Sequence, residues 1–360
     1  MAEAVALARE GRGQASPNPM VGAVLERDGV VVGRGFHTYA GVKHAEILAL
    51  EEAGERAQGA TLYITLEPCS HQGRTGPCAE ALIRAGIGRV VAAAQDPNPL
   101  VAGDGFRKLR EAGIAVEVRS SNEAEKLNEA YAHFMRRRRP LVTLKTALTL
   151  DGKIAAPDDN RGWITSPTAR AHVQQLRHDS DAILTGIGTV LADDCFLTDR
   201  SGLPRSRPLM RVVLDSQLRL PLHSKMAGSA HDDLVVVATS AASGERKRQL
   251  EERGVKILTF DGAGGRADIH RTVEWLGEQR YLSLLVEAGS KVNWAVLDAE
   301  EADKVFFYYA PKILGGTDSL PMAGGFGRRK RSDAIRVERV TLHPISQDEF
   351  AVEAYVHRDH

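Results

Sequence analysis

The amino-acid sequence predicts an α/β protein of two domains, each built from a sheet flanked by helices. Three observations support this prediction: a length of 360 residues, short apolar runs that alternate with helical patterns, and a break in that alternation near residue 138. Domains usually contain ~100–200 residues, so a chain of this length divides naturally into two. Apolar residues make up 43% of the chain and charged residues 26%, as in ordinary globular proteins with a large core.

The first domain is expected over residues 1–138 as a three-layer α/β sandwich. Apolar runs at 20–25 and 30–35 flank Asp28-Gly29, a strong turn signal, and therefore predict a β-hairpin. Further strands are predicted at 61–66, 89–94 and 114–118, and helices at 45–53, 79–85, 105–112 and 122–134. A few strands with helices between them indicate helices on both faces of one sheet.

The second domain is expected over residues 139–360. Four consecutive arginines, Arg136 to Arg139, precede Pro140, which cannot continue a helix, so the boundary is placed there. The arginine run is interpreted as a solvated linker, with a phosphate-attracting patch as the alternative. Strands are predicted at 141–148, 182–184, 210–214, 234–238, 256–259, 283–286, 305–309 and 350–356, and helices at 167–177, 245–253, 267–277 and 291–299. Strands that precede helices, with glycine after several of them, are typical of an open nucleotide-binding sheet.

Composition argues against several classes of protein. The formal net charge is zero, so no global charge favours nucleic acid or an anionic membrane. Residues 1–10 carry acids within their apolar stretch and predict a helix, not a signal peptide, and no run of ~18 apolar residues suggests a transmembrane span. Three cysteines do not make a disulfide framework and suit a reducing compartment. We therefore expect a cytoplasmic protein that binds neither nucleic acid nor membrane.

Three side chains of metal-ligand type, His44, Cys69 and Cys78, lie in the first quarter of the chain. A catalytic zinc site has three protein ligands and leaves the fourth position to water, whose pKa the metal lowers to ~7. Glu46 follows the histidine by two residues and is then free to move protons between that water and a leaving group. The order resembles the H-x-E…P-C-x-x-C pattern of zinc nucleobase deaminases, in which the glutamate is the general acid/base. The pattern predicts a zinc site with Glu46 as its catalytic residue.

One feature departs from that general pattern, because eight residues, 70–77, separate the two cysteines where the pattern has two. The alternatives are a closed structural zinc site with His71 as fourth ligand, or a pair of ordinary buried thiols. A closed site would leave Glu46 without a role. Cys195 stands apart from the motif and is interpreted as an ordinary thiol.

Longer motifs, which follow one another over residues ~5–350, resemble a single known family. They are Pro17-Asn18-Pro19-Met20-Val21-Gly22, His37, Glu67-Pro68-Cys69-Ser70-His71-Gln72-Gly73-Arg74-Thr75-Gly76-Pro77-Cys78, Leu150-Asp151-Gly152-Lys153, Gly188-Thr189-Val190-Leu191-Ala192-Asp193-Asp194 and Pro311-Lys312-Ile313-Leu314-Gly315. The family is the bifunctional pyrimidine deaminase/reductase of riboflavin biosynthesis, and the long loop between the cysteines is one of its features. The resemblance implies a cytidine-deaminase-like first domain, a dihydrofolate-reductase-like second domain, and a homo-oligomer.

The resemblance also implies two reactions on one small phosphorylated pyrimidine. The first domain would use Zn²⁺ to remove the 2-amino group of a diaminopyrimidinone ribosylamine 5′-phosphate. The second domain would use NADPH to reduce the ribosyl chain to ribityl. Substrate-holding positions of the deaminase match Asn18, His37 and Arg74.

In the second domain, the resemblance implies two sets of site residues. Positions that contact the cofactor match Ala147, Trp163, Thr189, Asp193, Ser216 and Gly289. Positions that contact the substrate match Arg161, Arg177, Leu197, Arg200 and Glu287. Several arginines at one site suit a ribose phosphate. Arg161 departs from the small polar residue common in the family, and Ala288 replaces the usual glycine beside Gly289.

The residues alone indicate this second site less specifically. No G-x-G-x-x-G motif opens a helix after the first strand, but Gly186-Ile187-Gly188-Thr189 and the Gly289 loop each follow a predicted strand. Glycine there lets a helix N-terminus approach phosphate, or forms an ordinary helix-start turn. Lys145 and Asp193 are candidates for polar assistance near the reacting carbon. The alternatives are an exposed strand residue and a helix-end carboxylate.

Two other functions compete with this interpretation. One is a zinc deaminase of a free nucleoside or of nucleic acid, with a noncatalytic second domain. The other is a structural zinc module that binds RNA through its basic segments. The zero net charge and an aromatic content of 5% argue against an RNA-binding module.

Overall fold

A computed structural model describes residues 1–72, 76–158 and 162–357. The chain forms two compact units: unit 1 contains Met1–Arg138 and Pro204–Arg207, and unit 2 contains Arg139–Leu203 and Pro208–His360. Both units are α/β structures, so the predicted fold class is confirmed. Arg74 and Arg161, two of the predicted substrate residues, lie outside the described residues.

Unit 1 is organised around a five-stranded sheet with the spatial order β2-β1-β3-β4-β5. The strands are β1 (Gly22–Arg27), β2 (Val30–Phe36), β3 (Thr61–Ile64), β4 (Arg89–Ala92) and β5 (Ala115–Val118). Strand β1 pairs antiparallel with β2 and β3, whereas β3, β4 and β5 are parallel. The helices are α1 (Ala2–Glu10), α2 (Ala45–Ala53), α3 (Cys78–Arg84), α4 (Asp104–Glu111), α5 (Asn122–Leu127) and α6 (Glu129–Arg137).

Helices cover both faces of this sheet, as a three-layer sandwich requires. Helices α2, α3 and α4 bury Ala49, Leu82 and Leu109 in the main core of unit 1. A smaller cluster joins Val5 of α1 to Ala124 of α5. Burial of such apolar side chains is the dominant favourable contribution to folding.

The helix that carries the candidate catalytic glutamate packs unusually close to the sheet. A Cβ atom on Gly33 of β2 would lie 2.1 Å from the carbonyl oxygen of Ala49, and one on Gly35 would lie 2.2 Å from that of Ala45. Only glycine permits this approach of backbone to backbone. The two glycines therefore allow α2, whose first turn carries Glu46, to pack directly against β2.

The predicted helix at 122–134 is wrong as a single element, because it is divided into α5 and α6 at Asn128. The Asn128 side chain accepts a hydrogen bond from the Met20 backbone N–H at 2.8 Å and donates one to its carbonyl at 2.9 Å. These tertiary bonds hold Asn128 at φ −102°, outside the α-helical range. They also fix the residue next to the loop that carries Asn18.

Unit 2 contains a nine-stranded sheet with the spatial order β11-β10-β9-β8-β12-β6-β13-β16-β15. Its strands are β6 (Leu141–Thr149), β8 (Ala182–Gly186), β9 (Met210–Leu214), β10 (Leu234–Ala238), β11 (Lys256–Thr259), β12 (Ser283–Val286), β13 (Lys304–Ala310), β15 (Val337–Pro344) and β16 (Phe350–Val356). From β11 to β13 in this order, neighbouring strands are parallel. Strand β16 pairs antiparallel with both β13 and β15. Strands β7 (Lys153–Ala155) and β14 (Leu320–Pro321) form a separate pair.

The helices of unit 2 lie on both faces of its large sheet. They are α7 (Pro167–His178), α8 (Ile187–Asp193), α9 (Lys225–Gly228), α10 (Gly244–Glu251), α11 (Ile269–Glu278) and α12 (Ser290–Asp298). Helices α11 and α12 pack in one apolar core, while α8, α9 and α10 pack in another. In the described residues, no helix combines the length and hydrophobicity needed to cross a membrane.

Among the α-helices and strands described in unit 2, β7, β14, β15, α8 and α9 lie outside the ranges predicted from the sequence. Strand β15 is almost wholly exposed and carries a register shift between Glu338 and Thr341, so it lacks the alternation that marks a half-buried strand. It forms one edge of the sheet and exposes Val340 and Leu342. The homo-oligomer implied by the family resemblance stays a prediction.

Candidate active sites

The first candidate site gathers the three predicted metal ligands at the N-terminal ends of two helices in unit 1. His44 is the N-cap residue of α2, Cys78 is the first residue of α3, and Cys69 lies in the loop after β3. The His44 Nδ1 atom lies 3.2 Å from Cys78 Sγ and 3.5 Å from Cys69 Sγ. All three ligand atoms lie within 4.8 Å of one another.

This donor set fits a tetrahedral zinc ion. Zinc bonds of ~2.0–2.1 Å to nitrogen and ~2.3 Å to sulfur place neighbouring tetrahedral ligands ~3.6 Å apart, close to the separations found here. Within the described part of the chain, no other group of three His, Cys, Asp or Glu side chains is close enough to hold a metal ion. One His and two Cys leave a fourth coordination position, as catalytic zinc sites do.

The two thiols favour a shared negative charge even without a metal. The hydrogen bond from the Cys78 thiol, followed by contact with His44, lowers the pKa of Cys69 well below its usual range although burial opposes it. The backbone N–H of Cys78, at the start of α3, also donates to Cys69 Sγ at 3.3 Å. The same hydrogen bond and burial raise the pKa of Cys78. A preformed thiolate suits metal binding, because only the deprotonated sulfur is a ligand.

Glu46 lies in the first turn of α2, two residues from His44, and is 3% exposed. Burial, and secondly the negative charge on Cys69, raises the pKa of Glu46 to about 7. A carboxyl group with a pKa near the working pH can both accept and donate a proton, as a general acid/base must. The structure therefore places the predicted catalytic glutamate beside the predicted ligands.

Asn18 and His37, two predicted substrate residues, are also brought to this site. The His37 ring lies edge-on to that of His44, with 5.2 Å between ring centroids. The Lys43 carbonyl, 2.9 Å from His37 Nδ1, can only accept, so Nδ1 carries the proton and Nε2 accepts from the Asn18 amide at 2.9 Å. This assignment leaves the Asn18 amide oxygen as the acceptor that can meet a substrate N–H.

Glu67 is a buried residue whose role in this site was not predicted from the sequence. It is 5% exposed, and its carboxylate accepts hydrogen bonds from the backbone N–H groups of Asp96, Gly103, Gly105 and Phe106 at 2.9–3.3 Å. Two of these N–H groups belong to the first turn of α4, which favours a negative charge. Glu67 therefore anchors the Pro68-Cys69 loop, and only its place beside that motif could have drawn attention to it.

The second candidate site is centred on three buried charged side chains in unit 2. Glu287, just after β12, accepts two hydrogen bonds from the Arg177 guanidinium at 2.8 and 3.0 Å and one from Lys145 Nζ at 3.3 Å. Their side chains are only 10–11% exposed. Burial alone would raise the pKa of Glu287, but the charges of Lys145 and Arg177 lower it to about 2. Glu287 thus binds both Arg177, the other predicted substrate residue of this group, and Lys145.

Leu197 and Arg200 lie in the segment that follows α8. Leu197 is 4% exposed and has φ +55°, a backbone region rarely adopted by branched residues. The Arg177 side chain, besides binding Glu287, donates to the Thr198 carbonyl at 3.0 Å. Asp193, the last residue of α8, is exposed overall, but neighbouring protein atoms keep some water away from its carboxyl and so raise its pKa. Among the described residues, no hydrogen bond links Asp193 to Lys145.

The start of α12 brings two of the predicted cofactor residues together. Gly289 is the N-cap residue, and a Cβ there would contact Thr189 Oγ1 at 3.6 Å, so two predicted cofactor residues are neighbours. Ser290 Oγ and Asn293 Oδ1 are buried and lack a hydrogen-bond partner among the described residues. A helix N-terminus with unsatisfied polar groups suits a phosphate of a dinucleotide.

The other predicted cofactor residues lie in separate places. Ser216 lines a cavity of about 330 Å³ with Ile187, Leu214, Gln217 and Arg219. Ala147 packs against a small apolar cluster that α7 and β13 share. Trp163 is 67% exposed, and its ring lies 5.0 Å from the Arg170 guanidinium carbon.

Comparisons with known families match both units. Residues 1–94 match the cytidine and deoxycytidylate deaminase zinc-binding region, and residues 140–348 match the RibD C-terminal domain. The chain is 43% identical to riboflavin biosynthesis protein RibD of Escherichia coli K12, covering 97% of this chain and 96% of that protein. It is 40% identical to RibD of Actinobacillus pleuropneumoniae, covering 97% and 92%.

Solved structures agree with this relationship. RibD of Acinetobacter baumannii superposes with a TM-score of 0.87 at 36% identity, covering 99% of this chain and 98% of that chain. A diaminohydroxyphosphoribosylaminopyrimidine deaminase/5-amino-6-(5-phosphoribosylamino)uracil reductase of Thermotoga maritima superposes with a TM-score of 0.82 at 35% identity, covering 99% and 97%. The family predicted from the sequence motifs is thereby confirmed. The chain belongs to the RibD family of bifunctional deaminases and reductases of riboflavin biosynthesis.

Proposed function

We propose that unit 1 catalyses zinc-dependent deamination of 2,5-diamino-6-(5-phosphoribosylamino)pyrimidin-4-one and that unit 2 then reduces the ribosyl chain with NADPH. The product is 5-amino-6-(5-phosphoribitylamino)uracil. The observation that carries the proposal is the buried Glu46 beside His44, Cys69 and Cys78, on a chain that also holds the Lys145–Arg177–Glu287 network.

In the deaminase, His44, Cys69 and Cys78 would hold the zinc ion, whose chemistry is to make water nucleophilic at neutral pH. Glu46 takes a proton from the attacking water as its oxygen bonds to C2 of the pyrimidine. Glu46 then returns that proton to the 2-amino nitrogen as the C–N bond breaks and ammonia leaves, and the remaining hydroxyl proton moves to N3 as the C2 carbonyl forms. Asn18, fixed by His37, orients the pyrimidine through its amide.

In the reductase, NADPH would supply a hydride to C1′ of the ring-opened imine, and the neighbouring nitrogen would take a proton. We assign Lys145 as the charged group that assists this proton transfer, and Arg177 and Arg200 as groups that attract the phosphate. We propose Asp193 as a cofactor-binding residue of the reductase on the family resemblance. Arg74 in the deaminase and Arg161 in the reductase are further substrate-binding residues that we propose on the family resemblance alone.

An ultraviolet assay with the diaminopyrimidinone phosphate tests the two reactions and their order. We expect ammonia release without NADPH, and oxidation of one NADPH per substrate only after deamination. Removal of zinc with a chelator is expected to abolish ammonia release and to spare NADPH oxidation with pre-deaminated substrate. NADPH oxidation by substrate that retains its 2-amino group, at the full rate, would contradict the proposed order.

We further propose that the 330 Å³ cavity binds the 2′-phosphate end of NADPH. Arg219 and Ser216 line this cavity, and the Arg219 side chain is 59% exposed with its Nε atom 3.9 Å from Asp215. A guanidinium at that distance from its carboxylate is available to a phosphate, which it binds in a charge-assisted contact. Ser216 Oγ, which accepts from the Ala267 N–H at 2.9 Å, can donate its own proton to the same phosphate.

Replacing Arg219 with alanine is therefore expected to raise the KM for NADPH by about 10- to 100-fold, the loss of one charged hydrogen bond. The KM for NADH, which has no 2′-phosphate, should stay unchanged. Steady-state kinetics with both cofactors measures this difference. Arg248→Ala, an exposed arginine of α10 outside the cavity, is the matched control. Equal losses with NADPH and NADH would show that Arg219 does not bind the 2′-phosphate.

A further inference from the structure

The C-terminal half of α7 is fastened to the segment that carries two predicted substrate residues, Leu197 and Arg200. The Gln174 side chain accepts a hydrogen bond from the Arg200 N–H at 2.9 Å, and Arg177 donates to the Thr198 carbonyl at 3.0 Å. His178 Nδ1 lies 3.0 Å from Asp199 Oδ2. Three side chains of one helix thus hold three consecutive residues of the segment.

The His178–Asp199 pair is the buried part of this attachment. The side chains of His178 and Asp199 are 3% and 6% exposed. A carboxylate only accepts, so the ring donates its Nδ1–H to Asp199. The other Asp199 oxygen accepts from the Ser201 N–H at 2.9 Å, and Ser201 Oγ accepts from the Leu203 N–H at 3.2 Å. The pair therefore organises residues 199–203 as well as joining them to α7.

The segment needs such support because its local conformation is not the one its sequence prefers. Leu197 has φ +55°, a strained region for a leucine that persists only where surrounding contacts impose it. Buried polar and ionic pairs add little net stability compared with apolar replacements, but they can select one conformation over others. The His178–Asp199 pair is suited to selecting the conformation of this segment.

We propose that His178 and Asp199 are positioning residues for substrate binding by the reductase. They hold the segment that carries Leu197 and Arg200 against α7, one residue from Arg177 and its bond to Glu287. This inference rests on the proposed reductase function of unit 2. Because the pair does not touch the cavity or the α12 N-terminus, it acts on the pyrimidine substrate and not on NADPH.

Kinetics of the full-length protein with pre-deaminated pyrimidine phosphate and NADPH test the proposal. We expect His178→Ala to raise the KM for the pyrimidine by about 10-fold or more, the effect of losing a charged hydrogen bond, with kcat and the KM for NADPH within about 2-fold. His178→Asn, whose amide N–H takes the place of Nδ1–H, should restore the KM to within about 3-fold of wild type. Gln175→Ala, an exposed position of the same helix, is the control.

Hydrogen exchange of the backbone amides of residues 198–203, without ligands, gives a second readout. His178→Ala should accelerate exchange there and leave unit 1 and its deaminase activity unchanged. An unchanged KM with unchanged exchange overturns the proposal, and so does a loss confined to kcat. If His178→Ala does not fold, Asp199→Asn tests the proposal instead, because it keeps the shape of the side chain and removes only its charge. An unaltered KM for the pyrimidine in that variant overturns the proposal. If the wild-type protein deaminates its substrate but oxidises no NADPH, the proposed reductase function is wrong. Hydrogen exchange then still tests whether His178 and Asp199 hold the segment against α7.

Discussion

Replacing Glu46 with glutamine is expected to slow deamination by about 10²- to 10⁴-fold, the usual contribution of a general acid/base. Glutamine keeps the shape of the side chain but cannot take a proton from the attacking water or return it to the leaving nitrogen. Glu46 is buried in the first turn of α2 and is not one of the three grouped ligands, so zinc content should stay at that of the wild type. Ammonia release and metal analysis measure the two quantities.

Two controls separate this effect from damage to the fold. Glu51→Gln alters a half-exposed carboxylate of the same helix, which pairs with Lys43 on the surface, and should leave deamination within about 2-fold because exposed pairs contribute little. Reduction of pre-deaminated substrate by Glu46→Gln should equal that of the wild type. Deamination at the wild-type rate in Glu46→Gln would remove Glu46 from the mechanism, whatever its position.

The metal-ligand cluster could be predicted because each ligand is recognised by its chemical type and the order of motifs brings them into one fold. His44, Cys69 and Cys78 meet as expected. Glu67 could not be predicted in its role, because its partners are backbone N–H groups 29–39 residues further along the chain, which carry no sequence signal. The structure therefore reveals mainly the residues that support the site, whereas its candidate reactive groups could be named from the sequence.

Elsewhere, tertiary contacts override local patterns. The helix at 122–134 was divided because Asn128 binds the Met20 backbone, an interaction across 108 residues that no helical periodicity reveals. Strand β15 was missed because neither of its faces packs in a core, so the alternation on which strand prediction depends is absent. In contrast, strands β9, β10 and β12 were predicted with the bounds found, since buried parallel strands are nearly continuous apolar runs.

Arg177 and Glu287 show a further limit of prediction from sequence. The family resemblance assigns both to the substrate, but in the structure they bind each other across 110 residues. Only the fold, which places α7 beside the carboxyl end of β12, reveals this pair. Their mutual attraction holds both side chains in place before any ligand arrives, which reduces the ordering that binding requires.

Replacing Glu287 with glutamine is expected to impair unit 2 most strongly. It leaves the buried cations of Lys145 and Arg177 without a counter-charge, and breaking a buried pair in this way costs about 3–5 kcal/mol. We expect NADPH oxidation to be lost and the unfolding transition of unit 2 to shift to lower temperature, while ammonia release by unit 1 continues. Calorimetry and the two assays measure these effects. Glu338→Gln, which removes the charge of a half-exposed partner of His357, should change neither NADPH oxidation nor the unfolding temperature of unit 2.

The pH dependence of stability identifies the charge of Glu287 as the cause. Its pKa is about 2 in the folded protein and 4.5 for an unperturbed glutamate, so the carboxylate stabilises the fold above pH 4.5 and loses that effect as pH falls towards 2. The difference in unfolding temperature between wild type and Glu287→Gln should therefore be constant near neutral pH and shrink below pH ~4.5. A difference that stays the same at pH ~3 would assign the damage to altered packing and not to the loss of the buried charge.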